Sequence, residues 1–193
     1  MLFRSILGDL DKAWRVYEAQ VRPGGAWGPA LNVATDAPAF LWRAELAGQP
    51  RKPQAWQLVN DYVQKSFPRA GIAFVDVHRA LSAVAASDSA AIAAIVAELE
   101  ERSASGKAPS GDIVPRLAKG LAAYGKGEWT GAIAILQPAL AETVRIGGSR
   151  AQRDLIQNTL LAAYIKAGQQ DKARKLLAAV TDRRPSVPIA GLA

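Results

Sequence analysis

Apolar residues recur at three- and four-residue steps along most of the chain, with polar residues between them. This spacing is typical of amphipathic α-helices, because it places the apolar side chains on one face. Glycines, prolines and capping residues divide the pattern into about nine predicted helices. Isoleucine and valine form no long alternating runs, and alanine is abundant, which favours helix over sheet. The pattern therefore predicts an all-α fold.

The clearest unit is residues 146–185, which have the pattern of a helix, a turn and a second helix. Ser149 and Gln152 have the spacing of a capping box, in which each side chain satisfies the backbone amide of the other residue. Gly168 is predicted to end the first helix, and Pro185 the second. This hairpin is therefore the most securely delimited part of the chain.

The same signals predict a single domain over residues 1–193. Its predicted parts are a capping helix at 1–22, a divergent hairpin at 37–67, helix pairs at 72–103, 112–145 and 149–183, and a tail at 184–193. Prolines and glycines after the capping helix predict an irregular connection, which Trp27 is expected to anchor by apolar packing. Asp36 and Pro38 are predicted to begin the second helix. Pro138 is expected to kink the seventh helix or to break its hydrogen bonding.

A repeat underlies these helix pairs. Ala91, Ala132 and Ala173 occupy similar positions after a turn and lie 41 residues apart. The spacing of small residues, aromatic residues and turn glycines around them resembles the tetratricopeptide repeat. Each helix pair has two apolar faces that it cannot bury alone, so neighbouring pairs should stack. We therefore expect a right-handed solenoid of antiparallel helix pairs.

Four segments extend the resemblance, at residues 41–46, 74–88, 120–133 and 146–163, and the string IGGSRAQRD in the last is the most specific. Together they are similar to the tetratricopeptide repeat protein 38 family, and they span nearly the whole chain. Because the family's chains are longer at the amino end, this chain looks like their carboxy-terminal portion. The resemblance implies a helical-repeat architecture and no particular reaction.

Composition narrows the class of protein. Half of the residues are apolar and 21% are charged, as in globular proteins. The absence of cysteine excludes disulfides, thiolate metal sites and cysteine nucleophiles. No apolar run approaches the roughly 18 to 20 residues that a membrane span requires. We therefore expect a cytoplasmic protein that does not enter a membrane.

The formal net charge is +7, with the basic residues spread along the chain. Such a spread usually marks solvated helix faces, although a basic array could also bind nucleic acid or another anionic ligand. The helical-repeat architecture favours a protein or peptide partner on the concave face. No cofactor is expected, and the sequence leaves the oligomeric state open.

His78 is the only histidine, with Asp76 two residues before it. A spacing of two does not place these side chains together on a helix, and a metal site would need more ligands. No serine lies in a nucleophile elbow, so an enzyme is the weakest alternative. We expect His78 to form a hydrogen bond between adjacent helices, with a contribution to a ligand groove as the other possibility.

Arg150 and Arg153 lie in the first turn of a predicted helix, where the helix dipole disfavours positive charge. A carboxylate such as that of Asp154 could compensate them. Alternatively, they could bind an anionic group together with the free amides of that turn. The candidate ligand site consists of seven residues: Asp76, His78, Ser149, Arg150, Gln152, Arg153 and Asn158.

Overall fold

The computed structural model describes residues 9–181, and within this range the secondary structure is entirely helical. The described range contains nine α-helices and one 3₁₀ helix: α1 Leu10–Gln20, α2 Ala30–Leu46, α3 Pro53–Ser66, α4 Ala73–Ala85, α5 Ser89–Ala104, α6 Ile113–Gly125, α7 Trp129–Ala139, the 3₁₀ helix Leu140–Ile146, α8 Arg150–Lys166 and α9 Gln170–Thr181. The prediction of an all-α fold is confirmed for this part of the chain. The beginning of the capping helix, the predicted stop at Pro185 and the tail lie outside the described residues.

Local capping signals begin several helices where the sequence predicts. The Asp88 side chain accepts a hydrogen bond from the amide of Ala91 at 2.9 Å and caps α5. Both hydrogen bonds of the capping box between Ser149 and Gln152 are present at the start of α8. After Pro138, α7 gives way to the 3₁₀ helix. The α-helical hydrogen bonding therefore ends at the proline, because proline has no amide hydrogen to donate.

The start of the second helix and the place of Trp27 differ from the prediction. Helix α2 begins at Ala30, and Pro38 lies inside it at the cost of one backbone hydrogen bond. Trp27 is 87% exposed, so its ring does not anchor this connection to the described residues. The apolar contact between α1 and α2 comes instead from the rings of Tyr17 and Phe40, which stack with their centroids 5.0 Å apart.

Helices α2, α4, α6 and α8 form an inner ring. Each packs against the next, and α2 also packs against α8, so the first inner helix meets the last. Two hydrogen bonds cross this closure, from Trp42 Nε1 to Thr159 Oγ1 at 2.8 Å and from Gln152 Nε2 to Asp36 Oδ1 at 3.3 Å. Side chains therefore fill the interior of the ring, where an open array would leave a concave groove.

Helix α4 is the most central element. Every residue from 74 to 85 is buried, because α4 contacts α2, α3, α5 and α6. The helices α1, α3, α5, α7 and α9 lie outside the inner helices and contact them along one side. Within residues 9–181, none of the helices combines the length and the apolar character that crossing a membrane would need.

Candidate functional site at the amino-terminal end of the inner helices

The inner helices are parallel, and the first turns of α4, α6 and α8 lie at the same end of the ring. Asp36 and Trp42 of α2 bond Gln152 and Thr159 of α8 in the same order along both helices. Phe74 at the start of α4 lies close to Gly148, which comes just before α8. A Cβ added to Gly148 would be only 2.5 Å from the Phe74 ring. The partial positive charges of several helix dipoles therefore gather at one end of the ring, which we call the amino-terminal end.

A cavity of about 270 Å³ opens at this end, between the first turns of α4 and α6, the last turns of α5, and the 3₁₀ helix. Two arginines line it, Arg102 from α5 and Arg145 from the 3₁₀ helix. Ser110 from the connection before α6 and Asp76 from α4 complete its polar lining. We call this the basic cavity, and neither arginine belonged to the predicted site.

The two arginines keep donors available to a ligand. Arg145 Nη1 donates to Glu142 Oε2 at 2.7 Å, and Arg102 Nη2 makes a long bond of 3.4 Å to the carbonyl of Lys107. A guanidinium group carries five N–H donors, so these contacts leave most of them unused. Arg145 also approaches Gly111 closely, since a Cβ there would lie 2.6 Å from Arg145 Nη2. Glycine at position 111 therefore leaves space for the Arg145 guanidinium, which an added Cβ would displace.

Ser110 is 7% exposed, and its hydroxyl makes no hydrogen bond to another described residue. The hydroxyl oxygen is not among the buried polar atoms that lack a partner, so it is open to the volume of the cavity. Ser110 therefore offers a donor that a ligand in the basic cavity would satisfy.

Asp76 is the acidic group of the basic cavity. Its Oδ2 accepts a hydrogen bond from the amide of Gly71 at 3.1 Å. Burial raises the pKa of Asp76 to about 6, although the Gly71 hydrogen bond and Arg79 oppose the shift. Below about pH 6 the cavity therefore loses its negative charge and favours anions more strongly.

Arg150 and Arg153 line a separate depression of about 250 Å³ on the other side of the 3₁₀ helix, together with Val144 and Asp154. Arg153 donates a hydrogen bond to the carbonyl of Gly148, and this bond fixes the loop before α8 to the first turn of that helix. Burial raises the pKa of Asp154, and the charges of Arg150, Arg43 and Arg153 oppose that shift. The structure thus places a compensating carboxylate beside the two arginines and leaves Arg150 on an accessible surface.

The remaining predicted site residues support the fold. Gln152 accepts from the Ser149 amide at 2.8 Å and donates to Asp36, so its side chain joins the capping box to α2. Asn158 is buried on α8. Ser149 and Gln152 thus position the start of α8, whereas Arg150 takes no part in the capping box.

His78 lies inside the ring and is only 2% exposed. Its Nδ1 donates a hydrogen bond to the carbonyl of Phe74 at 2.8 Å. Both residues belong to α4, so the prediction that His78 bonds an adjacent helix is wrong. The reason is that the carbonyl one turn earlier on the same helix is within reach. Its Nε2 is buried without a partner among the described residues, and burial lowers the pKa of His78 to about 4. His78 does not line the cavity that Asp76 lines.

Across residues 9–181, no cluster of three or more histidine, aspartate or glutamate side chains could hold a metal ion. No protein-family model matches the chain, and no solved structure gives a significant match. The resemblance to the tetratricopeptide repeat protein 38 family therefore stays a prediction.

Proposed function

We propose that this protein is a tetratricopeptide-like helical-repeat module that binds a protein or peptide partner through an acidic segment. One anionic group of the partner binds in the basic cavity. The observation that carries this proposal is the convergence there of Arg102, Arg145 and the unpartnered hydroxyl of Ser110. Charged guanidinium donors form the strongest hydrogen bonds to carboxylates and phosphates.

Because the inner ring is closed, we expect the partner to bind at the amino-terminal end and not on a concave face. Trp42 and Thr159 are both buried and bonded across the position where a groove would lie. A peptide could enter there only by separating α2 from α8. The basic cavity needs no such separation, because it opens to the surface already.

An exposed apolar side chain beside the basic cavity favours a peptide over a free ion. Ile72 is 47% exposed and lies between Gly71 and Ala73, which both line the cavity. Exposed apolar residues next to charged groups are typical of protein interaction sites. The partner segment should therefore carry an apolar residue next to its acidic one.

The proposal is tested with labelled octapeptides that contain one glutamate, aspartate or phosphoserine among leucines and valines, and with fluorescence anisotropy as the readout. Loss of a charge-assisted hydrogen bond costs about 1.5–3 kcal/mol, so Arg102→Ala or Arg145→Ala should weaken binding roughly 10- to 100-fold. The matched control is Arg174→Ala, because Arg174 lies on α9 and its side chain is largely exposed.

Two results would overturn the proposal. One is equal peptide binding by the wild type, the cavity variants and the control. The other is tight binding of random-sequence RNA or DNA that falls steeply with salt and is weakened equally by all three arginine changes. That second outcome would assign the +7 charge to a nucleic-acid surface.

A further inference from the structure

A second cavity lies at the opposite end of the ring, where α2 and α6 finish and α7 begins. Its volume is about 210 Å³, and its walls include three aromatic side chains, from Trp42, Tyr124 and Trp129. Glu45 and Arg51 supply its charged groups. We call it the aromatic cavity, and it is independent of the function proposed above.

The aromatic walls are held in place before any ligand arrives. The ring of Tyr124 packs at 65° to that of Trp42 and at 65° to that of Trp129, with centroids 5.4 and 5.1 Å apart. The Trp42 indole is further fixed by its hydrogen bond to Thr159. Because these rings are immobilised by packing, a ligand would lose little affinity to ordering them.

Glu45 carries a negative charge whose oxygens are both already bonded. One oxygen accepts from Arg51 Nη2 at 2.7 Å, and the other accepts from the indole nitrogen of Trp56. The Glu45 side chain is 16% exposed, so solvent screens its charge only partly. The carboxyl ends of α2 and α6 add partial negative charge at the same place.

We infer that the aromatic cavity binds a quaternary ammonium group. Aromatic faces attract cations through their quadrupole, and a preformed set of rings beside a carboxylate suits a cation without N–H donors. A primary ammonium would have to give up its hydration, and most acceptor positions of Glu45 are already taken by Arg51 and Trp56. Burial raises the pKa of Tyr124 to about 12, so its hydroxyl stays neutral beside the cation.

Arg51 limits the affinity of this cavity. Its guanidinium neutralises part of the Glu45 charge and also bonds the carbonyl of Ala85 at 3.3 Å. Removing the Arg51 charge therefore leaves the carboxylate free to act on the guest cation. Removing the Glu45 charge has the opposite effect.

The test uses two probes of the same shape, choline and its uncharged isostere 3,3-dimethyl-1-butanol. Binding is followed by the indole N–H signals of Trp42 and Trp129 in titrations by nuclear magnetic resonance. We expect choline to bind at least tenfold more tightly than the isostere and more tightly than ethanolamine. Both Trp42 and Trp129 signals should move with the same dissociation constant.

Variants separate a binding role from a structural one. Arg51→Gln should strengthen choline binding and Glu45→Gln should weaken it, each severalfold, while Trp129→Ala should reduce it at least tenfold. Trp27→Ala removes an exposed indole that does not line the cavity and should leave the affinity unchanged. Equal binding of choline and the isostere would overturn the inference, as would an affinity that Arg51→Gln lowers or an absence of any shift at Trp42 and Trp129.

Discussion

The indole nitrogen of Trp42 donates a hydrogen bond to the hydroxyl of Thr159 at 2.8 Å, although the two residues lie 117 positions apart in the chain. Thr159 in turn donates to the carbonyl of Leu155 at 2.8 Å, so one buried hydroxyl both accepts across the ring and donates within α8. This bond joins the first inner helix to the last. It therefore closes the ring that keeps the concave face covered.

Thr159→Val should lower the free energy of unfolding by about 1–3 kcal/mol, because valine keeps the shape and leaves the buried Trp42 donor without a partner. Urea unfolding followed by circular dichroism measures the change. Thr130→Val is the matched control, since Thr130 is exposed on α7 and should change stability by less than about 0.5 kcal/mol. Equal stability of the two variants would show that the closure bond contributes nothing.

Local signals account for the parts of the fold that the sequence predicts well. Asp88 and Ser149 begin their helices as expected, because capping depends on residues only three positions apart. The start of α2 is missed because the packing of α2 against several helices outweighs the cost of Pro38. The bond between Trp42 and Thr159 has no local sequence signal, since it depends on how all the helix pairs stack.

The candidate site shows the same division between local and distant signals. Asp76 was predicted, and it does line a cavity. Arg102, Ser110 and Arg145 were missed because three separate segments bring them together. The closest sequence signal for them is Gly111, whose lack of a Cβ leaves room for Arg145. His78 attracts attention as the only histidine, yet its rarity carries no information about where its side chain lies.

Gly111→Ala should weaken anion binding in the basic cavity, because the new methyl group would displace the Arg145 guanidinium, which a Cβ meets at 2.6 Å. Gly106→Ala is a close control from the same connection. Gly106 also has a positive φ, of +72°, but has open space around its Cβ position. Both variants should lose about 1 kcal/mol of stability through backbone strain.

The two glycine variants are compared by anisotropy with the acidic peptides and by thermal unfolding. Only Gly111→Ala is expected to lower peptide affinity, by roughly tenfold if one guanidinium contact is lost. If Gly106→Ala lowers the affinity equally, the effect comes from the shape of the loop, and Arg145 has no part in binding.

The pH dependence of stability should reveal two buried groups with opposite effects. Asp76 has its pKa raised from 3.8 to about 6, so between these values the folded chain holds a proton that the unfolded chain lacks. His78 has its pKa lowered from 6.5 to about 4, so in nearly the same range the unfolded chain holds the extra proton. As pH falls from 6 to 4, Asp76 therefore adds about 2 kcal/mol of stability and His78 removes about 2 kcal/mol.

In the wild type these two contributions nearly cancel, and single substitutions should separate them. Asp76→Asn should make stability fall as pH is lowered from 6 to 4, because only the His78 effect remains. His78→Gln should make stability rise over the same interval, because only the Asp76 effect remains. Urea unfolding at pH 4, 5 and 6 measures the slopes, which are compared with the wild type so that other titrating groups cancel. Parallel profiles in all three proteins would mean that neither group titrates in the folded state as its burial requires.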